Sequence, residues 1–245
     1  MSTLRSGGLT LTLCLALAGA VDAEPTLRPG PGDEMLVYNW KIEGIKGLIL
    51  RLVAPGRGEG SLTTVLEDDG NLATELHMSA ERRRHGDFWR YGSTFDPVAM
   101  RSLSAWTAQK VGDKRKFREA DLANDDLIDL ASGILLVRRN PPPVARRMRI
   151  WSNGKLYPVI VEPRGEERTL FRGRPTTVRI YAIHGYEVPG EREWNGGVEF
   201  HLADDVSATP IEMLVLNKGV RARLRLDEEA SQFGLPEVRR AAVDR

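Results

Sequence analysis

The chain has 245 residues, with 35 Lys+Arg against 34 Asp+Glu, 41% hydrophobic and 28% charged. That composition belongs to a soluble globular protein and excludes a disordered or fibrous one. A net charge of +1 supplies no global field for gathering nucleic acid, so no nucleic-acid partner is expected and any anionic contact has to come from a local patch.

Arg5 precedes an uncharged apolar stretch from Leu9 to Ala20, which ends in Val21-Asp22-Ala23. This is the layout of a secretory signal with a small-residue cleavage site, and residues 1–23 are expected to be removed near Ala23. The run is about a dozen residues, short of the roughly 20 that a spanning helix needs. Cys14 is the only cysteine, and Leu13 stands where an acylated cysteine would follow a small residue. Cleavage therefore leaves a periplasmic chain with no disulfide, thiolate metal site or cysteine nucleophile.

After a Pro/Gly leader, Leu36 to Glu43 alternates strictly and places Leu36, Tyr38, Trp40 and Ile42 on one face of a half-buried strand. Leu48 to Val53 reads as a second strand, followed by a turn over Pro55 to Gly60. Ser61 to Leu66 and Leu72 to Met78 form a hairpin about Asp68-Asp69-Gly70-Asn71, with Leu72, Thr74, Leu76 and Met78 on one side. Phe88 to Thr94, Leu103 to Val111 and a charged stretch from Lys114 to Glu119 continue the strand pattern.

One segment breaks the period of two. From Asp126 to Arg138 the apolar residues Leu127, Leu130, Ala131, Ile134 and Leu135 follow helical spacing, with Asn124 or Asp125 as the N-cap. Arg138 and Arg139 suit the negative end of the dipole, and Pro141-Pro142-Pro143 stops the helix.

Arg146 to Trp151 and Leu156 to Val161 flank Asn153-Gly154, the strongest local hairpin signal, because both turn residues tolerate positive φ. A two-residue loop pairs Trp151 with Leu156 and Ile150 with Tyr157. Met148, Ile150, Tyr157, Val159 and Val161 then share one face, and Arg147, Arg149 and Trp151 share the other with Leu156, Pro158 and Ile160. Thr176 to His184, Gly197 to Ala203, Pro210 to Leu216 and Val220 to Leu226 complete the pattern, the last two joined by Asn217-Lys218-Gly219. The sum is a mainly β fold of roughly a dozen antiparallel strands, curved into a barrel-like or sandwich form with one short helix. Residues 24–226 form a single domain, and 227–245 a charged tail.

The order of Gly32 to Tyr38, Gly44 to Gly47, Asp126 to Arg138, Asn153 to Tyr157, and Ala203-Asp204-Asp205 to Pro210 with Gly219 and Leu224 resembles the bacterial envelope family called domain of unknown function 3108. The resemblance spans about 32–226 and implies an exported protein with a β-rich, barrel-like fold. It brings no catalytic residues. The chain departs from the family pattern at Ile128-Asp129 and Gly133-Ile134, where a polar residue and a tyrosine are more usual.

His77, His85, His184 and His201 have no metal-binding spacing, and no nucleophile elbow, phosphate loop or dinucleotide fingerprint is present. No catalytic residue, metal or cofactor is expected. Between Asp129 and Glu162 there is no acid, while Arg138, Arg139, Arg146, Arg147, Arg149 and Lys155 give a local charge of +6. Guanidinium groups suit bidentate contacts to phosphates or to an acidic partner; equally, arginine outnumbers lysine throughout the chain. Tyr38, Trp40 and the other aromatics line either a cavity for an apolar ligand or an ordinary core. The candidate binding residues are thus Arg138, Arg139, Arg147, Arg149, Trp151, Tyr38 and Trp40. The expectation is a non-enzymatic periplasmic binding or scaffolding module, its partner an envelope protein or amphiphile, with peripheral contact to anionic lipid. A lipid carrier with a hollow barrel is the alternative, and a hydrolase with a dispersed site the third.

Overall fold

The computed structural model describes residues 27–43, 56–80, 86–122, 127–217 and 220–234. The expected signal, the expected strand at 48–53, the cap candidates Asn124 and Asp125, and His85 lie outside these residues.

Thirteen strands form a single sheet: β1 (Glu34–Glu43), β2 (Arg57–Leu66), β3 (Leu72–Ala80), β4 (Phe88–Asp96), β5 (Arg101–Val111), β6 (Lys114–Asp121), β7 (Leu127–Ile128), β8 (Arg146–Ser152), β9 (Lys155–Phe171), β10 (Arg174–Gly185), β11 (Gly196–Ala203), β12 (Pro210–Asn217) and β13 (Val220–Gln232). The order is β6-β5-β4-β3-β2-β1-β13-β12-β11-β10-β9-β8-β7, so β1 and β13 meet in the middle and β6 and β7 are the edges. Every pairing is antiparallel except the two-residue β7 on β8. The fold is the expected mainly β, curved and barrel-like one, and the sheet is unclosed.

The hairpin about Asn153-Gly154 has the expected register, with Ile150 opposite Tyr157 and Trp151 opposite Leu156. Its two turn residues have φ of 53° and 79°, the mirror-image turn that matches strand twist. Leu66 pairs with Leu72 across the other expected hairpin. The expected turn over Pro55 to Gly60 is corrected, because Arg57 to Gly60 belong to β2 and pair with Lys41 to Tyr38. Gly58 is required there by crowding: a Cβ would collide with the Ser79 carbonyl and the Trp40 indole. β13 runs on through Asp227–Gln232, into the stretch expected to be a tail. Ser231 accounts for part of this, its hydroxyl accepting from the Val37 N–H at 2.9 Å.

The helix, α1 (Leu130–Arg139), starts later than the apolar spacing suggests. Asp129 is its N-cap and accepts from the N–H groups of Ala131 and Ser132, while Ser132 Oγ accepts from the Asp129 N–H in a reciprocal capping box. Leu127 and Ile128 are taken into β7 opposite Arg149 and Ile150, so Leu127 is not part of the helical stripe. Gly133 leaves the space that the Ile183 and Ile128 methyls fill at 3.0 and 3.4 Å from where its Cβ would stand.

Leu130 to Arg138 are all buried, which identifies α1 as the filling of the curve rather than a helix laid on its outside. It shares one apolar core with Leu36, Tyr38, Leu72, Leu76, Ile150, Val159, Phe200 and Leu224 of the concave face, and it lies nearest to β3, β4, β5 and β8. The sheet also rolls past its own start. Ala105 and Ala120 lie on the concave side of β5 and β6, whereas Trp151 and Leu127 lie on the convex side of β8 and β7, yet these residues and Leu122 form one apolar cluster. The β5–β6 hairpin therefore overlaps the outside of β7–β8 instead of meeting it edge to edge.

Candidate functional site

Both ends of α1 are tied to the sheet by buried polar groups. At its C-terminal end Arg138 donates to both carboxylate oxygens of Glu34 at 2.7 and 2.9 Å, and to the carbonyls of Ser207 and Ala208. Each side chain of this pair is 1% exposed. Burial disfavours the Arg138 charge, but the Glu34 charge and its hydrogen bonds outweigh that and raise the guanidinium above its ordinary value. Tyr38 Oη donates to the Pro210 carbonyl at 2.8 Å, and burial lifts its hydroxyl well above the usual range. At the N-terminal end Ser102 donates to Ser132 Oγ and Ser132 to Asp129 Oδ2, both at 2.6 Å. Burial pushes the Asp129 carboxyl up, against the lowering effect of its hydroxyl and amide donors.

The structure scatters the residues singled out by the basic stretch. Arg138 is locked to Glu34. Arg139 is half-buried, its charge disfavoured first by burial and then by Arg138. Arg147 lies over the Tyr186 ring at 5.5 Å, and Arg149 pairs with Glu191. Trp151 is 6% exposed, covered by β5–β6, so it does not lie open beside those arginines. Tyr38 and Trp40 are core residues, with Trp40 Nε1 donating to the Glu59 and Ser79 carbonyls at 3.0 and 2.9 Å. Glu75 and His77 do share a face of β3, and Glu75 is engaged by Arg90 at 2.6 and 2.9 Å. His184 meets Glu162 at 2.9 Å, and His201 meets Glu167 and Glu199 at 2.9 and 3.1 Å. Among the described residues no group of His, Cys, Asp or Glu converges to hold a metal.

A concavity of about 1150 Å³ lies on the convex side of the sheet across β13, β1, β2, β3 and β4. Its floor carries Arg223, Lys41 and Arg57, and the register makes these three direct cross-strand neighbours. Adjacent strands are only about 4.8 Å apart, and like charges placed directly opposite are unfavourable. Arg225 lies in the next row, opposite Asn39. Glu43 accepts from Arg223 Nε at 2.8 Å and stands 3.7 Å from Lys41 Nζ, while Glu212 meets Arg223 and also Arg225 Nε at 3.1 Å. His77 and Phe88 form the far wall, edge to face at 6.2 Å. Burial lowers the His77 imidazole below its ordinary value. The sequence reading missed this row because its members sit on three strands. The available signal was the alternation of Arg221, Arg223 and Arg225 with apolar residues in β13, and of Lys41 with Trp40 and Ile42 in β1.

Two smaller cavities open at the rim of the curve. One, of about 160 Å³, lies by the N-terminus of α1 between Tyr91, Tyr157 and Trp194. The other, of about 300 Å³, is lined by Leu136, Pro142, Pro143, Val144, Met148 and Val161, with Arg146 beside it. Among the described residues no helix is long and apolar enough to cross a membrane.

The fold is similar to that of a β-barrel-like protein of domain of unknown function 1849 from Brucella abortus, with a TM-score of 0.51 and 8% identity, over 80% of this chain and 95% of that one. At that identity the likeness is one of fold alone. MucB aligns at a TM-score of 0.29 and 15% identity over 83% of this chain and 58% of its own, and LprF from Mycobacterium bovis at 0.31 and 10% over 80% and 85%; both scores are too low for the backbones to count as one fold. No family model matches the chain, and no curated protein matches it.

Proposed function

We propose that this is an exported, non-enzymatic binding module of the cell envelope, related to domain of unknown function 3108, which takes an anionic group in the convex-side groove. The observation that carries this reading is the row Arg223, Lys41 and Arg57 on the floor of the 1150 Å³ concavity. A phosphate or carboxylate adds to the counter-charge that Glu43 and Glu212 supply to Arg223 and Lys41, and guanidinium groups grip such anions bidentately. The filled interior also favours a ligand taken outside the curve rather than within it. Export near Ala23 is part of the same reading.

The test is co-sedimentation of the purified chain with vesicles of phosphatidylglycerol and of phosphatidylcholine, beside crosslinking in the periplasm. Lys41→Glu with Arg225→Glu should abolish most of the capture and flatten its salt dependence. Unchanged capture in that folded double variant would sink the groove as the site. A second reading, a carrier of an amphiphile, rests on the apolar 300 Å³ cavity beside Arg146. Its support would be a lipid retained in native mass spectrometry and lost when Val144 is replaced by Asp.

A further inference from the structure

The free edge of β6 offers a surface that the groove does not use. Among the described residues β6 is a terminal strand of the sheet, with β5 as its one paired neighbour. Seven of its eight residues are exposed. An unpaired edge presents a row of N–H and C=O groups that another extended chain can complete. Its side chains are sorted by face. Lys114, Lys116 and Arg118 share the concave side with Ala120, while the convex side carries Phe117 between Arg115 and Glu119, with Asp121 beyond, Phe117 being stacked on Trp106 at 6.3 Å and still 45% exposed. The Arg118 guanidinium lies against Gly154 at the tip of the β8–β9 hairpin, which places the cationic face beside the overlapped seam.

We infer that β6 pairs with an extended segment in which acidic residues alternate with apolar ones. Strand addition puts alternate side chains of the newcomer on opposite faces. One set then lies beside Lys114, Lys116 and Arg118, where carboxylates are favoured, and the other beside Phe117, where an apolar residue is favoured. A second copy of β6 is a poor occupant. Antiparallel pairing about a two-fold axis normal to the sheet keeps concave side with concave side, so residues of equal parity oppose each other. Centred on Phe117, Lys116 faces Arg118 twice, although Arg115 then faces Glu119 twice; centred on Lys116, Lys114 faces Arg118 twice; centred on Arg118, that residue faces its own copy, although Arg115 then faces Asp121; centred on Glu119, that residue faces its own copy. Each of these registers sets like charges opposite one another on at least one face, a device that blunts edges against self-association.

The experiment uses the full chain and a fluorescent peptide alternating Glu with Val, as long as β6, beside a block peptide of the same composition with its glutamates together. The alternating peptide should bind at low salt, and alternate amides from Lys114 to Arg118 should gain protection from hydrogen exchange. Lys114→Glu with Lys116→Glu, both exposed, should weaken binding by about tenfold or more, as reversing rim charges against an anionic partner does. The Lys41→Glu and Arg225→Glu variant should keep the peptide-induced amide protection from Lys114 to Arg118, which separates this edge from any carboxylate taken by the groove. Equal binding of the block peptide, no amide protection, no loss in the reversed variant, or dimers forming without peptide would each overturn the inference.

Discussion

The two ends of the internal helix are held by opposite means. At the C-terminal end a guanidinium is closed on a carboxylate, with two carbonyls accepting from its Nε and Nη2. At the N-terminal end a carboxyl is surrounded by hydroxyls and amide N–H groups. The first holds a charge that cannot be left alone in the core; the second holds one that a proton can remove. The helix is therefore clamped at one end and titratable at the other, although both ends are equally buried.

The largest break in this comparison comes from opening the clamp on one side only. Glu34→Gln strands the Arg138 charge in an apolar interior and should cost about 3–5 kcal/mol in urea unfolding, whereas Glu34→Leu with Arg138→Met should cost much less than either single change. A single-site loss below 1 kcal/mol would show water reaching Arg138, contrary to its 1% exposure. Next in size is Leu130→Ala, at the first turn, with an expected loss of about 2–5 kcal/mol from apolar transfer and the cavity left behind. A loss below about 0.5 kcal/mol would place that turn at the surface.

The titratable end gives a smaller and pH-dependent effect. Burial raises the Asp129 carboxyl in the folded state, so the folded chain holds its proton more tightly than the unfolded chain. The stability this contributes is fully present below the unfolded-state value and is lost as pH rises through the folded value. Asp129→Asn keeps a good cap but cannot ionise. Relative to the variant, the native chain should therefore be more stable at acidic pH than at neutral pH. A pH-independent difference between the two unfolding curves would contradict this.

Much of the fold was legible because it is written in adjacent residues. Strict alternation marked β1, and Asn153-Gly154 set a register that the structure repeats pair for pair. The start of α1 was misplaced because Leu127 satisfies both a helical stripe and a strand, and only the partner strand β8 decides between them. The charged halves of β9 and β13 were unreadable for the opposite reason, since their exposed side chains carry no apolar period and backbone pairing alone makes them strands. The basic stretch was visible as a local charge but not as a surface. Nearby positions such as Arg138 and Arg147 point to different sides, the first inward to Glu34 and the second outward over Tyr186, whereas Lys41 and Arg223 meet from opposite ends of the chain.

The smallest expected effect separates those two kinds of charge. Arg147 and Arg149 are exposed, one over Tyr186 and the other paired with a Glu191 that is itself exposed. Exposed pairs of this kind contribute little, because the Coulomb gain is screened and two long side chains lose freedom in holding it. Arg147→Glu with Arg149→Glu should therefore shift unfolding by no more than about 0.5 kcal/mol. The Trp151 that once completed the patch is roofed by Ala105 and Leu122, so reversal here should leave vesicle capture near the native level while Lys41→Glu with Arg225→Glu removes it. The reverse outcome, capture lost on reversing Arg147 and Arg149 and kept on reversing Lys41 and Arg225, would move the anion site from the row built by register to the run of charge visible in the sequence.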